Sequence, residues 1–348
     1  MSELVPTIDL TDWAGGDPAR RAEIAAAVDA GCTRVGFLQI RGHGIDPDLV
    51  ERMLAAVDRL FELPMPVKMK YTPVSPDVNN GYSPVGAESL AYSLGVDDAP
   101  PDLFEAFNVG PEDMDRNDPA VIAEIERIFA DNLWPEEFPE FQDIAMEYFA
   151  AVRAFAHRLT SVFAVALGLD EDFFEAYCRH STDTLRINHF QRTLTMGDPL
   201  PGQTRMGAHT DYGIVTVLYG DQVPGLEIVG PDGGWHSVVP EPGAYVINIG
   251  DLLAQWTNDR WRSTVHRVAA PPVGDTSHNR RRSMAFFHDG DWDAIVECLP
   301  TCVSDDNPAK YEPVRALDHL MNKLMGGRTM SAAEPTDHIG DRIDAVRS

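Results

Sequence analysis

Met206-Gly207-Ala208-His209-Thr210-Asp211-Tyr212-Gly213-Ile214-Val215-Thr216-Val217-Leu218 carries the pattern from which the rest of the chain is best understood. If Met206 to Thr210 and Val215 to Leu218 are β, alternation puts His209 and Asp211 on one face, roughly 6.6 Å apart along the strand. A third candidate, His266, stands in Asp259-Arg260-Trp261-Arg262-Ser263-Thr264-Val265-His266-Arg267-Val268. Two imidazoles and one carboxylate form an incomplete metal shell, of the kind that leaves non-haem Fe(II) open to a co-substrate and O2. Alone, the triplet also admits chance, because His-x-Asp is common and His266 is one of 11 histidines.

Around that stretch lie eight short β-like runs separated by glycine and proline. They are Thr184 to Phe190, Met206 to Thr210, Val215 to Gly220, Leu226 to Val229, Trp235 to Val238, Ala244 to Ile249, Ser263 to Val268 and Arg282 to Phe287. Runs of this length and density predict a double-sheet jelly roll, or double-stranded β-helix. The fold class is therefore mainly β with flanking helices, with an N-terminal α/β region and a C-terminal helix. Asp251 to Thr257 reads as a short helical turn.

Upstream, Pro6 to Leu10 and Val35 to Ile40 read as strands, and Asp17-Pro18 opens a helix through Val28. Asp46-Pro47 caps a second helix to about Leu63, with Val50, Met53, Leu54, Val57, Leu60 and Phe61 on its apolar face. His43, between Gly42 and Gly44, reads as a turn residue rather than a ligand. Tyr71 to Gly86 reads as an ordered loop. Helices follow over about Pro119 to Phe129 and Pro139 to Leu167, the second ended by Gly168. Pro308 to Met325 reads as a closing helix and the remainder to Ser348 as a mobile tail. The boundaries are residues 1–182, a core at 183–295, a helical segment at 296–325 and a tail at 326–348, all within one structural domain.

At 348 residues, 44% apolar and 24% charged, the chain can bury a core of its own. A net charge of −27 repels phosphate backbones and anionic membrane surfaces, so neither nucleic acid nor a membrane is an expected partner. Cys32, Cys178, Cys298 and Cys302 are scattered, without a Cys-x-x-Cys pair, and read as reduced, packed thiols. The first residues lack a basic-then-apolar leader and no run approaches the ~20 apolar residues of a membrane span, so a cytoplasmic location is expected.

Taken together, the motifs resemble the isopenicillin N synthase-like group of Fe(II)/2-oxoglutarate-dependent oxygenases over nearly the whole chain. Pro6-Thr7-Ile8-Asp9-Leu10, Gly36-Phe37-Leu38-Gln39-Ile40, Gly42-His43-Gly44-Ile45 and Gly81-Tyr82-Ser83-Pro84 match its amino-terminal region. His209-x-Asp211, Gly250-Asp251, Trp256-Thr257-Asn258, Ser263-Thr264, His266 and Arg281-x-Ser283 match its core. The resemblance implies Fe(II) on His209, Asp211 and His266, with 2-oxoglutarate as co-substrate and its far carboxylate on Arg281 and Ser283. Of Arg280, Arg281 and Arg282, only Arg281 shares a strand face with Ser283.

The family places an Asn and a Tyr two apart near the co-substrate. Here Asn188 is present, but Phe190 stands where the hydroxyl would be. The same group includes isopenicillin N synthase, which does without 2-oxoglutarate, and an ascorbate-using branch resembling aminocyclopropanecarboxylate oxidase. The implied activity is hydroxylation or desaturation of a small molecule, using O2 and releasing succinate and CO2. The alternatives are a ring-closing oxidase that does not use 2-oxoglutarate, or a non-catalytic metal-binding jelly roll. Halogenating relatives carry a small residue at the position of Asp211, so its carboxylate argues against halogenation. Tyr82, Phe104, Phe190, Tyr212, Phe287 and Trp292 fall in segments that line the family's pocket, and His288 and Asp289 follow the last strand close to it.

Overall fold

The computed structural model describes residues 4–75, 78–96, 98–119, 121, 130–191, 199–200, 202–272, 274–275 and 278–329. The chain begins with β1 (Thr7–Asp9), α1 (Pro18–Arg34), β2 (Phe37–Arg41) and α2 (Pro47–Glu62), then a single turn, α3 (Met65–Lys68). β3 (Gly81–Ser83), β4 (Glu105–Val109) and the long α4 (Glu140–Ala166) follow. The core strands are β5 (Thr184–Gln191), β6 (Met206–His209), β7 (Val215–Gly220), β8 (Leu226–Val229), β9 (Trp235–Ser237) and β10 (Tyr245–Ile249). After α5 (Asp251–Trp256) come β11 (His266–Val268), β12 (Arg280–His288), β13 (Ile295–Val296), β14 (Val314–Arg315) and α6 (Ala316–Thr329).

Eight strands form one sheet in the order β1-β2-β10-β7-β12-β5-β4-β3, and four form a second in the order β6-β11-β8-β9. The sheets face each other across two apolar patches. Leu226 and Ile228 pack with Phe37 and Val246, and Met206 and Val268 pack with Phe104, Ala106 and Phe190. The outer face of the large sheet is covered by α1, α2 and α4. This is the jelly roll that the eight β-like runs predict, with β1 to β4 from the amino-terminal region extending its larger sheet at both edges.

α4 is the central beam of the core. Phe141, Tyr148, Phe149, Phe155, Leu159 and Phe163 are almost wholly buried along it, and Gly168 at φ +74° closes it. By length and composition α4 could cross a membrane, contrary to the expectation that no such run exists. Its apolar character is accounted for by burial against the sheet. α1 runs past Val28 to Arg34, and within that extension Gly31 lies so close to Leu38 that a β-carbon there would meet the leucine at 2.3 Å. His43 is a turn residue, as expected. Its Nδ1 accepts from the Ile45 amide and its Nε2 donates to the Gly243 carbonyl, while Gly42 and Gly44 take positive φ. The four cysteines are free and three are buried.

Other expectations need correction. The proposed loop at Tyr71 to Gly86 contains β3, and β4 has no counterpart in the sequence reading. The closing helix begins at Ala316 rather than Pro308, because Val314 and Arg315 are taken up in pairing with β13, and it continues through Gly326 and Gly327. The helix expected over Pro119 to Phe129 lies, except for Pro119 and Val121, outside the described residues, as does the tail from residue 330.

β4 is short and mixes Ala106, Phe107 and Val109 with Glu105 and Asn108, which are polar yet buried, so no clean alternation marks it. Glu105 accepts from Lys68 Nζ at 2.6 Å and Tyr82 Oη at 2.6 Å, and pairs with His189 Nδ1 at 2.9 Å. Burial pushes its carboxyl upward, but these partners outweigh it and the net shift is downward. We predict that Glu105→Ala costs about 3–5 kcal/mol, since Lys68 would remain as a buried charge without its counter-ion. Denaturant melts check this, and a loss under 1 kcal/mol would contradict it.

Candidate metal and co-substrate centre

β6 and β11 pair antiparallel with His209 opposite His266, which sets the two imidazoles side by side with ring centroids 4.3 Å apart. Their outer nitrogens are fixed by backbone. His209 Nδ1 donates to the Gly207 carbonyl at 2.7 Å and His266 Nδ1 to the Thr264 carbonyl at 3.0 Å. A carbonyl only accepts, so each Nδ1 holds the proton and each Nε2 turns a lone pair inward. Burial, then the neighbouring His266, lowers the His209 pKa to about 4, which keeps that ring in its ligating form.

Asp211 completes the cluster, but not as the next inward residue of a strand, because β6 ends at His209. Its orientation comes from hydrogen bonds. Oδ2 accepts from Asn248 Nδ2 at 2.6 Å and from the Thr216 hydroxyl, leaving Oδ1 3.7 Å from both His209 Nε2 and His266 Nε2. Between the two ligands, Thr210 points away and donates to Asp251 Oδ2 at 2.9 Å. The three donor atoms lie within 4.8 Å of one another, the only such buried trio among the described residues. Two neutral nitrogens and one free carboxylate oxygen fit Fe(II) and leave positions on it for other ligands.

The second half of the centre lies on the inner face of the large sheet. Along β12, Arg280 and Arg282 turn outward to Asp58, at 3.0 and 2.8 Å, whereas Arg281 is 1% exposed and Ser283 is buried. Arg281 Nε and Nη1 have no hydrogen-bond partner among the described residues, and burial pulls the guanidinium pKa down to about 10. A buried cation with two idle donors facing a cavity calls for an anion, and guanidinium favours a carboxylate gripped by two parallel bonds. Asn188 Nδ2 reaches Ser283 Oγ at 3.5 Å, which puts the Asn in the same polar corner.

The expected substrate contacts divide. Tyr212 and Phe287 line the cavity that contains the three ligands, Arg281 and Ser283. Phe190 instead lies under the Arg281 guanidinium, 5.2 Å from it, and Phe104 packs on Phe190 at 5.9 Å. Tyr82 is buried in the core against Glu105. His288 is fully buried behind the strand, where it pairs with Asp183 at 2.8 Å; burial lowers its pKa, but Asp183 more than compensates and the net shift is upward. Trp292 borders a smaller adjoining cavity, and Asp289 borders both.

Sequence reasoning missed two parts of the wall. One is the Glu88–Arg186 pair, joined at 2.9 and 3.0 Å and continued by Arg186 Nε to Asn188 Oδ1 at 3.1 Å. The other is the inner side of α6, through Leu320, Met321 and Leu324. Lys323 on that helix bonds to Asp251 Oδ2 at 3.1 Å. Leu317, Leu320, Met321 and Leu324 recur at helical spacing, but nothing in that spacing says that the helix faces a cavity.

Two family models match the chain. One, for the N-terminal part of a non-haem dioxygenase in morphine synthesis, covers residues 5–137, and the other, for the 2OG-Fe(II) oxygenase superfamily, covers residues 181–290. The chain is 34% identical to a validamycin A dioxygenase of Streptomyces hygroscopicus subsp. limoneus, over 93% of this chain and 86% of the relative. It is 33% identical to the 2-oxoglutarate-Fe(II) type oxidoreductase hxnY of Emericella nidulans, over 90% and 87%. Among solved structures, T7H of Neurospora crassa in complex with alpha-KG and thymine superposes with a TM-score of 0.80 at 30% identity, covering 92% of this chain and 96% of that one.

Proposed function

The chain belongs to the 2-oxoglutarate- and Fe(II)-dependent oxygenase superfamily, and from that premise we propose that it hydroxylates a small molecule in the cavity between its two sheets, with His209, Asp211 and His266 as iron ligands and Arg281 with Ser283 as the grip on 2-oxoglutarate. Iron bound there would couple the decarboxylation of 2-oxoglutarate by O2, giving succinate and CO2, to insertion of the second oxygen atom into a substrate C–H bond.

The chain's own residues bind, orient and exclude water. The Gly207 and Thr264 carbonyls hold both imidazoles in one tautomer. Asn248 and Thr216 occupy one oxygen of Asp211 and so present the other. Arg281 neutralises the far carboxylate of the co-substrate, and Phe190 supports the guanidinium from below instead of supplying a hydroxyl. The apolar residues of α6, with Tyr212 and Phe287, keep the cavity dry.

The observation that carries this reading is the Arg281 guanidinium, whose Nε and Nη1 have no partner among the described residues, in the same cavity as the ligand cluster. A metal site kept only for structure has no use for it. A relative named for validamycin A and a structural neighbour solved with thymine both support a small-molecule substrate, and the neighbour's alpha-KG supports 2-oxoglutarate over a co-substrate-free oxidase.

The test is anaerobic addition of Fe(II) and 2-oxoglutarate, followed by O2. A weak visible charge-transfer band and then succinate are expected. Neither band nor succinate, across a broad panel of small molecules, would overturn the reading.

A further inference from the structure

Asp289 is the first residue after β12, where the strand's alternation still holds. Phe287 faces the cavity, His288 faces Asp183 behind the sheet, and Asp289 faces the cavity again. The residue is only 9% exposed. Among the described residues no group is hydrogen-bonded or ion-paired to its carboxylate, whose oxygens border the cavity rather than being sealed in the core.

The other acidic groups of the wall are all engaged. Asp183 is held by Arg153 and His288, Glu88 by two bonds from Arg186, and Asp211 by Asn248 and Thr216. Asp289 also has space cleared for it. A β-carbon on Gly213 would lie 1.9 Å from Asp289 Oδ1, so the carboxylate occupies the room left by a glycine two residues after Asp211. The carboxylate is thus seated beside the ligand cluster and has no counter-ion.

We propose that Asp289 is the residue by which the site selects its substrate, and that the substrate is a small molecule bearing a protonated amine, whose ammonium bonds to this carboxylate while a nearby carbon is presented for oxidation. The inference rests on the oxygenase reading and deepens it. Arg281 is committed to an anion and Glu88 with Arg186 are mutually neutral, so Asp289 is the one acidic group of the cavity wall without a partner among the described residues. An isolated buried carboxylate is costly, and an ammonium on the ligand offsets that cost where an alcohol of the same shape cannot. Burial, with Asp183 next in effect, pushes the Asp289 carboxyl up to about 7, so the group is partly protonated near neutral pH until an ammonium beside it favours the charged form.

The experiment compares matched probes by anaerobic isothermal titration of the Fe(II)-loaded protein, with and without 2-oxoglutarate. Butylammonium, cyclohexylammonium and benzylammonium are set against butanol, cyclohexanol and benzyl alcohol. At least one amine is expected to bind on the order of thirty-fold more tightly than its alcohol. In Asp289→Asn that preference should collapse to within about threefold while 2-oxoglutarate affinity is kept. Equal binding of amines and alcohols to the wild type, no binding by any amine, or a preference that survives in Asp289→Asn each overturns the proposal. The wild-type comparison can still overturn the proposal if Asp289→Asn fails to fold, and Asp289→Ser then takes its place in assigning the preference to this residue. If 2-oxoglutarate does not bind but the amine preference is present, the co-substrate assignment falls and the role of Asp289 stands. If 2-oxoglutarate binds without an amine preference, only the present inference falls.

Discussion

Asp211→Ala is expected to lose stoichiometric iron and to reduce 2-oxoglutarate-dependent succinate formation by at least about 10³-fold. Of the three donors, only this one brings negative charge, and it stands 3.7 Å from both imidazole nitrogens. Its replacement also leaves Asn248 Nδ2 and the Thr216 hydroxyl without their acceptor, at about 1–3 kcal/mol for each group left unmet. Relief from burying a carboxylate acts in the other direction, so the metal-free variant should melt within a few degrees of the metal-free parent. Asn248→Ala separates the two effects. The ligand remains but is no longer oriented, and iron affinity should fall about 10–100-fold, with partial activity recovered at high iron. Iron content by metal analysis, together with succinate release, checks both variants. Full turnover by Asp211→Ala would end the ligand assignment.

Arg281→Leu should act in opposite directions on binding and on stability. Loss of a charge-assisted pair in a buried site predicts a 2-oxoglutarate KM raised about 10²-fold or more, with a smaller effect on kcat at saturation. Without ligand, however, Arg281 is a buried cation with idle donors, and leucine in its place removes that burden. The ligand-free variant should therefore be more stable by about 1–3 kcal/mol. Wild-type melting should rise on addition of 2-oxoglutarate, whereas the variant's should not. An unchanged KM would sink the assignment, and Arg280 and Arg282 would not replace it, since both already bond to Asp58.

Of the residues proposed to hold iron and co-substrate, Arg281 could be read from a rule local to its strand, whereas His266 was singled out among 11 histidines only by the family resemblance. Asp211 lies beyond the end of β6 and is turned toward His209 by Asn248 and Thr216, whereas alternation alone separates Arg281 from its two neighbours. The eight core strands were legible for the same reason. The N-terminal strands β3 and β4 were not. Both are short, and the polar residues among them are held by partners elsewhere, such as Lys68 and His189 for Glu105, pairings that no local pattern records. Distance also hid Glu88 and Arg186, which meet across 98 residues. Tyr82, Phe104, Phe190 and His288 are near the cavity in sequence terms, but their side chains fill the core, brace Arg281 or pair behind the sheet. Conversely, what distinguishes Asp289 is the lack of a partner, a property no sequence displays.

The proposed centre draws His209 and His266 from the four-stranded sheet and the Arg281 guanidinium from the eight-stranded one. Iron and 2-oxoglutarate held there together would act as a rivet through the two layers. Neither layer alone retains the complete set, so a ligand needing both has nothing comparable to bind in the unfolded chain. By mass action it stabilises the native form by about 2.7 kcal/mol at a hundredfold excess over its dissociation constant. A cell short of iron or of 2-oxoglutarate would then hold this protein not merely idle but closer to unfolding, and its lifetime would follow the supply of its own reactants.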